Sequence, residues 1–348
     1  MDVPHAQGIV CKTAPRYFPV RTSAGPMFKL HHLLMRQPSR TPVDDDTRTP
    51  ADTGSATDDP VARQGLFVIG AARTGTTILQ GALNDSREIF LFGEPAFHRD
   101  PGTPDFASRY NGMHRAWGNQ ETKSSYCPRL FEHDARWHDY LEKLARHYRY
   151  VGSKIVINPH DATAECSELF DFQCRRFYTS HQIFTFRNPL DTLMSTRGLS
   201  ELNGGRIASC IEVLRGYFLV VQLYFQAVRT LPHVHGWFHE SVGPDAFRAL
   251  GTSLDLPLSN GMAYYDSRKI RHYTMEQVPE SRCTVVSEAM DLYGDFRTQA
   301  SAGFALPQIE QNNGHLDPAH FTPLGRLSWR VTRFLDALDK LEASGASE

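Results

Sequence analysis

A glycine-bounded turn in the first third of the chain carries residue types that bind anions. After an apolar run at 66–69, it reads Gly70, Ala71, Ala72, Arg73, Thr74, Gly75, Thr76 and Thr77. Such a turn, placed before a helix, directs backbone N–H groups and the positive end of the helix dipole at one anion. The threonine hydroxyls add donors, and the Arg73 guanidinium can make paired hydrogen bonds to phosphate or sulfate oxygens. The pattern predicts an anion-binding loop at 72–77, the alternative being an ordinary glycine-containing turn.

This loop lacks the lysine of a nucleotide-hydrolysing phosphate loop. Such loops follow G-x-x-x-x-G-K-[ST], whereas Thr76 occupies the lysine position here. A P-loop kinase or hydrolase also needs a carboxylate that holds Mg²⁺. The missing lysine argues against a kinase-like nucleotide enzyme, which stays an alternative. Mg²⁺-dependent ATP hydrolysis would support that alternative.

Arg187 and Ser195, eight positions apart, form a second candidate anion site. Arg187 follows a strand-like run at 182–186. A helix is expected to begin at Asn188-Pro189, because Asn is a good N-cap and Pro is favoured at the first helical position. Ser195 then lies two turns along that helix. Arg187 and Ser195 can together hold a second phosphate; the alternative is a capped helix with an exposed arginine.

Alternating strands and helices must position these residues. Strands are predicted at 66–70, 89–92, 150–157, 182–186 and 234–238. Helices are predicted at 76–83, 135–148, from 189, at 206–230, at 244–250 and at 325–341, and 260–316 carries no clear pattern. The alternation predicts a three-layer α/β fold with a central parallel sheet and helices on both faces. Ligands of such sheets bind at the carboxyl ends of the strands, where both anion motifs fall.

The two motifs together resemble the sulfotransferases that use 3′-phosphoadenosine 5′-phosphosulfate (PAPS), which have a P-loop-like fold. Loop 72–77 is similar to the family's 5′-phosphosulfate loop, and Arg187 with Ser195 to its 3′-phosphate segment. Arg73 and the box Gly93-Glu94-Pro95 most resemble the branch of tyrosylprotein sulfotransferases and many bacterial enzymes. That branch has P-R-S-G-T-T in the loop, from which Ala72 and Thr74 depart. Recognisable motifs cover 65–200, and 200–345 matches only in general pattern.

The resemblance implies roles for Glu94, as general base, and for Lys154, at the end of its strand. Sulfuryl transfer resembles phosphoryl transfer, in which positioning and charge stabilisation dominate a loose, in-line displacement. Arg73, Lys154 and the loop amides can neutralise charge on the departing 3′,5′-ADP without a metal. Glu94 can accept the proton of an acceptor hydroxyl.

Several alternatives stay open at this point. His98 and His160 are rival bases, because the pKa of histidine suits proton transfer near neutral pH. Glu94 can instead pair with Arg99, and Lys154 can be a surface lysine of its strand. A catalytically inactive relative that binds 3′,5′-ADP or a partner protein is a further alternative.

Composition excludes several other classes of protein. The 348 residues are 41% hydrophobic and 22% charged, which is typical of a globular chain with a large core. A net charge of −2 provides no overall basic field for nucleic acid. Six scattered cysteines without a CxxC pair indicate free thiols and no metal site. The apolar stretch 211–228 contains Glu212 and Arg215, so a buried helix is expected there and no membrane span.

Residues 1–60 are rich in Pro, Arg, Asp, Thr and Ser, which predicts a disordered or loosely packed tail. A single sulfotransferase domain is expected at 61–345.

No continuous apolar leader occurs near the N-terminus, which favours a cytoplasmic enzyme. We expect a small-molecule acceptor with a hydroxyl or phenol, in a tailoring step of biosynthesis, with no nucleic-acid or membrane partner. The sequence leaves the oligomeric state open, a homodimer being one option.

Overall fold

The computed structural model describes residues 65–116, 129–202, 206–258, 260–265, 270–304 and 322–344. All of them fall within the unit Thr57–Glu348. The predicted tail at 1–60 lies outside the described residues. That tail and the domain limits 61–345 therefore stay predictions.

Within the described residues, five parallel strands form one sheet, and each strand matches a predicted one. They are β1 (Gly65–Ala71), β2 (Ile89–Gly93), β3 (Tyr150–Ile157), β4 (His181–Phe186) and β5 (Val234–Phe238). Their order is β2-β3-β1-β4-β5. Every residue of the central β1 is buried, as a continuous apolar run in a parallel sheet requires. Gly70 pairs with Val156 on one side and Thr185 on the other, so β1, β3 and β4 end side by side.

In the described stretches, nine α-helices surround this sheet. They are α1 (Thr76–Asn84), α2 (Phe106–Ala116), α3 (Trp137–Leu144), α4 (Ala162–Arg176), α5 (Pro189–Leu202), α6 (Cys210–Thr230), α7 (Pro244–Leu254), α8 (Glu280–Ser301) and α9 (Pro323–Ala343). Alternate residues of β1 enter two apolar clusters. Leu66 and Val68 pack with residues of α1 and α7, whereas Phe67 and Ile69 belong to the cluster that contains α4, α6 and α9. Helices therefore cover both faces, which confirms the predicted three-layer α/β architecture.

Helix α6 is the apolar stretch that the sequence predicts to be buried. Among the described helices it alone has the length and composition to cross a membrane, but 67% of its apolar window is buried inside the protein. It packs against α4, α9 and β1. It begins at Cys210, four residues later than predicted, because Ser209 and Glu212 form a reciprocal capping box. The prediction of a buried core helix is confirmed.

Three helices were not predicted: α2, α4 and α8. In α8, the buried residues Val286, Ala289 and Phe296 do follow helical spacing. The same buried side also carries the charged Arg282, which interrupts the apolar periodicity in the sequence. Contacts with α5, α6 and α9 stabilise such a helix in the fold, and sequence periodicity alone indicates it only weakly.

Gly70 leads to a first prediction, about stability. A Cβ at this position would lie 2.2 Å from Thr185 Oγ1 and 2.5 Å from Thr74 Oγ1, and these two hydroxyls share a buried hydrogen bond of 2.8 Å. We expect Gly70→Ala to lower the free energy of unfolding by about 1–3 kcal/mol, as overpacking does. Chemical denaturation measures this. Gly112→Ala is the control, because a Cβ on this α2 glycine meets nothing within 4 Å. Unchanged stability of Gly70→Ala would contradict the packing described here.

Candidate functional site

The loop between β1 and α1 has the backbone of an anion cradle. Arg73 and Gly75 both adopt left-handed conformations, with φ of 70° and 94°. Gly75 is the N-cap of α1, and no side chain caps this helix start. The first N–H groups of a helix lack partners within the helix, so they are available to an anion. Within loop 72–77 the N–H groups of Ala72 and Thr74 already donate to Ile157 O at 3.2 Å and to Ala71 O at 3.3 Å. The backbone donors available to an anion therefore lie at the start of α1, next to the carboxyl end of β1.

The three threonines of the loop differ in their surroundings. Thr74 is buried, and its hydroxyl is occupied by Ala71 O at 2.8 Å and by Thr185 Oγ1. Thr76 is also buried, whereas the hydroxyl of Thr77 accepts a hydrogen bond of 2.9 Å from Lys154 Nζ. The side chain of Thr74 thus fixes the turn. The backbone N–H of Thr74 also donates to Ala71 O, at 3.3 Å, so both donors of Thr74 serve the turn and its predicted role in ligand binding is not supported.

Arg73 connects the two predicted anion motifs. Its Nε donates a hydrogen bond of 2.9 Å to Ser195 Oγ on α5. Among the described residues Arg73 has no ion pair. Burial, and next the positive charge of Arg187, hold the pKa of Arg73 below its usual range, with a smaller effect from Arg271. Several arginines close together repel one another, and a bound anion would relieve that repulsion.

Arg187 follows β4 and is almost completely buried, at 9% exposure. Its Nη2 donates to the backbone oxygen of Arg271 and lies 3.4 Å from Asp191 Oδ2. Its Nε is buried and has no hydrogen-bond partner within the described part of the chain. A buried donor without an acceptor costs about 1–3 kcal/mol. An oxygen atom of a ligand would satisfy this N–H. Because Arg187 is buried, the alternative of a capped helix with an exposed arginine is wrong.

Asp191 holds a short segment at 271–273 against Arg187. Its carboxylate accepts a hydrogen bond of 2.9 Å from the Tyr273 N–H, and His272 Nδ1 lies 3.2 Å away. The sequence analysis gave no role to Asp191 or to Arg271. The available signal was the place of Asp191 in the first turn of the predicted helix, four positions after Arg187. Arg271 lies in a stretch without a pattern, and no signal pointed to it.

Lys154 connects the loop to Glu94. The Glu94 N–H donates to Lys154 O at 3.0 Å, and Glu94 Oε1 lies 2.7 Å from Lys154 Nζ. The side chain of Lys154 is 8% exposed and that of Glu94 is 43% exposed. Lys154 is therefore not the surface lysine of the alternative interpretation. Glu94 pairs with Lys154, while Arg99 faces the carboxylates of α4, so the alternative Glu94–Arg99 pair is not formed.

The rival base His98 faces another part of the fold. Its side chain is only 1% exposed, Nε2 lies 3.4 Å from Glu165 Oε1, and its ring contacts Phe172. Both of these partners belong to α4. The structure therefore does not bring His98 to the loop. His160 likewise lies 3.3 Å from Glu212 Oε1 on α6.

A different histidine, His239, does lie against the loop. A Cβ on Gly75 would be 3.1 Å from its Nδ1, which is buried and has no hydrogen-bond partner among the described residues. Burial, and next the charge of Arg187, lower the pKa of His239, so the imidazole is neutral at pH 7. A neutral ring offers one donor and one acceptor. The open backbone cradle, Arg187 Nε and His239 Nδ1 together fit a polar, anionic ligand.

No metal centre accompanies this site in the described part of the chain, where no group of three or more His, Cys, Asp or Glu residues could hold an ion. No protein-family model matches the chain, and a search of the curated proteins found no match.

Three solved structures are similar to this chain. A sulfotransferase domain from the curacin biosynthetic pathway has 14% identity and a TM-score of 0.43, covering 77% of this chain and 98% of its own. A sulfotransferase from Alicyclobacillus acidocaldarius has 17% identity and a TM-score of 0.42, covering 70% and 98%. A sulfotransferase from Mycobacterium avium has 14% identity and a TM-score of 0.36, covering 62% and 70%. All three are sulfotransferases, the family that the motifs resemble; at TM-scores below 0.5 they add no functional conclusion of their own.

Proposed function

We propose that this chain is a PAPS-dependent sulfotransferase that transfers the sulfuryl group to a hydroxyl of a small molecule. The hydrogen bond from Arg73 to Ser195 is the observation that supports this best. It makes one cationic site out of the loop 72–77 and the Arg187 segment. A site with two anion-binding arms suits a nucleotide that carries phosphate groups at both the 3′ and 5′ positions.

Each residue of the site would have its own role in binding PAPS or in the transfer. PAPS, when bound, supplies an activated sulfuryl group on its 5′-phosphate. The loop amides and Arg73 would hold that end, and Arg187 with Ser195 would hold the 3′-phosphate. Arg73 and Lys154 stabilise negative charge as the 5′-phosphate departs. Glu94, paired with Lys154 at 2.7 Å, accepts the proton of the acceptor hydroxyl.

Nucleotide binding and transfer provide the test of this proposal. We expect 3′,5′-ADP to raise the melting temperature of the full chain, and labelled PAPS to label a hydroxyl acceptor without Mg²⁺. Arg187→Ala should weaken 3′,5′-ADP binding, whereas Arg175→Ala, on the exposed side of α4, should not. Absence of 3′,5′-ADP binding would contradict the proposal. Mg²⁺-dependent ATP hydrolysis would favour the kinase-like alternative, and binding without any transfer an inactive relative.

Asp191 leads to a second prediction. Asp191→Asn removes the charge that pairs with Arg187 and weakens the attachment of segment 271–273. We expect about 10- to 150-fold weaker binding of 3′,5′-ADP, because one charge-assisted contact contributes on the order of 1.5–3 kcal/mol. Binding of 5′-AMP, which lacks the 3′-phosphate, should change little. Titration calorimetry measures the dissociation constants of both nucleotides. An equal loss of affinity for 3′,5′-ADP and 5′-AMP would contradict a role of Asp191 at the 3′-phosphate.

We also propose a cytoplasmic location and a small-molecule acceptor in a biosynthetic tailoring step, without nucleic-acid or membrane partners. The four cysteines in the described residues, Cys166, Cys174, Cys210 and Cys283, are free thiols. Free thiols are typical of proteins from reducing compartments, which supports this location.

A further inference from the structure

A cavity of about 280 Å³ lies next to Glu94 and is lined by residues of α2 and of the turn after β2. Its apolar wall includes Pro95, Phe106, Tyr110 and Met113. From sequence, 95–130 with its aromatic residues, Phe106 and Tyr110 among them, is one of the stretches expected to line an acceptor pocket. The position of the cavity matters because Glu94, the proposed base, forms part of its wall.

The wall of this cavity is rigid on one side and adaptable at the rim. The Tyr110 hydroxyl donates to Gly93 O at 2.7 Å and accepts from Gly93 N at 3.0 Å, which fixes the ring. Phe106 stacks nearly parallel to it, with ring centroids 6.2 Å apart. Met113 is 37% exposed, and its flexible thioether can adjust to different shapes. Sites for drug-sized ligands occupy about 300–1,000 Å³, so this cavity suits a body of about one ring.

The two arginines of the wall are already paired. Arg99 lies within 4 Å of three carboxylates, those of Asp161, Glu165 and Glu168. Arg109 bonds Asp100 at 2.7 Å and lies 3.2 Å from Asp105. The wall itself holds two carboxylates, Glu94 and Asp100, and these two arginines. The carboxylates behind the wall that pair with the arginines leave the surroundings of the cavity with more negative than positive charge.

We propose that this cavity is the acceptor site and that it selects single-ring hydroxyl compounds with a neutral or cationic tail over those with an anionic tail. The inference rests on the proposed function, since it needs Glu94 as base. The acceptor oxygen forms a bond to sulfur while the bond between sulfur and the 5′-phosphate oxygen breaks. The hydroxyl proton passes to Glu94, and 3′,5′-ADP leaves with the bonding electron pair.

Three phenols of nearly equal size test the charge preference: tyramine, tyrosol and 4-hydroxyphenylacetate. We expect kcat/KM for 4-hydroxyphenylacetate to be about tenfold or more below that for tyrosol, with tyramine at least equal to tyrosol. The difference should shrink as salt is raised, because exposed charges are screened. Binding of 3′,5′-ADP is measured separately on the same protein.

Variants give this test a second readout. Glu168→Gln removes one of the carboxylates that face Arg99, so the relative kcat/KM for 4-hydroxyphenylacetate should rise several-fold. Asp295→Asn is the control, because Asp295 is a similarly exposed carboxylate on α8 that pairs with Arg330 and not with an arginine of the cavity wall. Met113→Trp should reduce kcat/KM for all three phenols and leave 3′,5′-ADP binding unchanged.

The outcomes separate the two proposals. Bound 3′,5′-ADP together with equal rates for the three phenols, or with no transfer to any of them, would overturn the inference about the cavity and leave the nucleotide site standing. Absence of 3′,5′-ADP binding would overturn the proposed function and this inference with it.

Discussion

Arg73→Ala should abolish sulfuryl transfer, with a fall in kcat of about 10³-fold or more, as for arginines that stabilise charge in phosphoryl transfer. Arg73 lies in the loop that would hold the 5′ end of the nucleotide, and it also contacts Ser195 of the other arm. Its removal therefore takes away charge stabilisation and the contact between the two arms. Single-turnover transfer from labelled PAPS, at saturating concentrations of both substrates, measures the effect.

Two controls accompany this variant. Arg73→Lys keeps the charge but loses the planar fork, so it should recover only part of the rate. The free energy of unfolding of Arg73→Ala should not fall, because the substitution relieves the crowding of positive charge near Arg187 and Arg271. Normal turnover in Arg73→Ala, combined with unchanged nucleotide affinity in Arg187→Ala, would show that the site is assigned wrongly.

Glu94→Gln should lower kcat by about 10²–10⁴-fold, the usual contribution of a general base. Glutamine preserves the size of the side chain and can still contact Lys154, so 3′,5′-ADP should bind as before. Rapid-quench kinetics with an excess of acceptor measures the fall in kcat, and titration calorimetry measures the binding of 3′,5′-ADP.

Retention of full activity in Glu94→Gln would require another base. His98, the first rival from the sequence, could act only if it left its contact with Glu165 and became accessible, since its side chain is 1% exposed. A His98→Gln variant with normal kcat would exclude it directly. His239 would then be tested next, because it lies against the loop at Gly75.

The strands and the two anion motifs could be predicted from sequence because their signals are local. The run at 66–70 is apolar and bounded by glycines, and Arg187 stands between a strand and a strong helix start. That the two motifs lie near each other also follows from a general rule, because neighbouring parallel strands end at the same edge of a sheet. The direct contact between Arg73 and Ser195 could not be predicted in this way, because it depends on β1 and β4 being neighbours in the sheet. The order of the strands is known only from the structure.

The rest of the site depends on tertiary contacts that leave little trace in sequence. Arg271 reaches the site because Asp191 holds segment 271–273, and no periodicity marks that segment. His98 is of a suitable type for a base, yet packing against α4 turns it away from the loop. The cavity beside Glu94 forms where α2 meets the turn after β2, and α2 itself was not predicted.

The left-handed backbone at Arg73, Glu94 and Ala96 has a consequence for engineering this protein. Non-glycine residues in this conformation, here with φ of 70°, 50° and 52°, each cost roughly 1 kcal/mol or more. Selection for thermal stability alone would therefore favour glycine at all three positions. At Arg73 and Glu94, glycine would remove the side chain that the proposed reaction needs. Ala96 contributes no charged or hydrogen-bonding side chain and only a methyl group to the cavity wall, so Ala96→Gly is the substitution by which a more stable variant could keep its turnover.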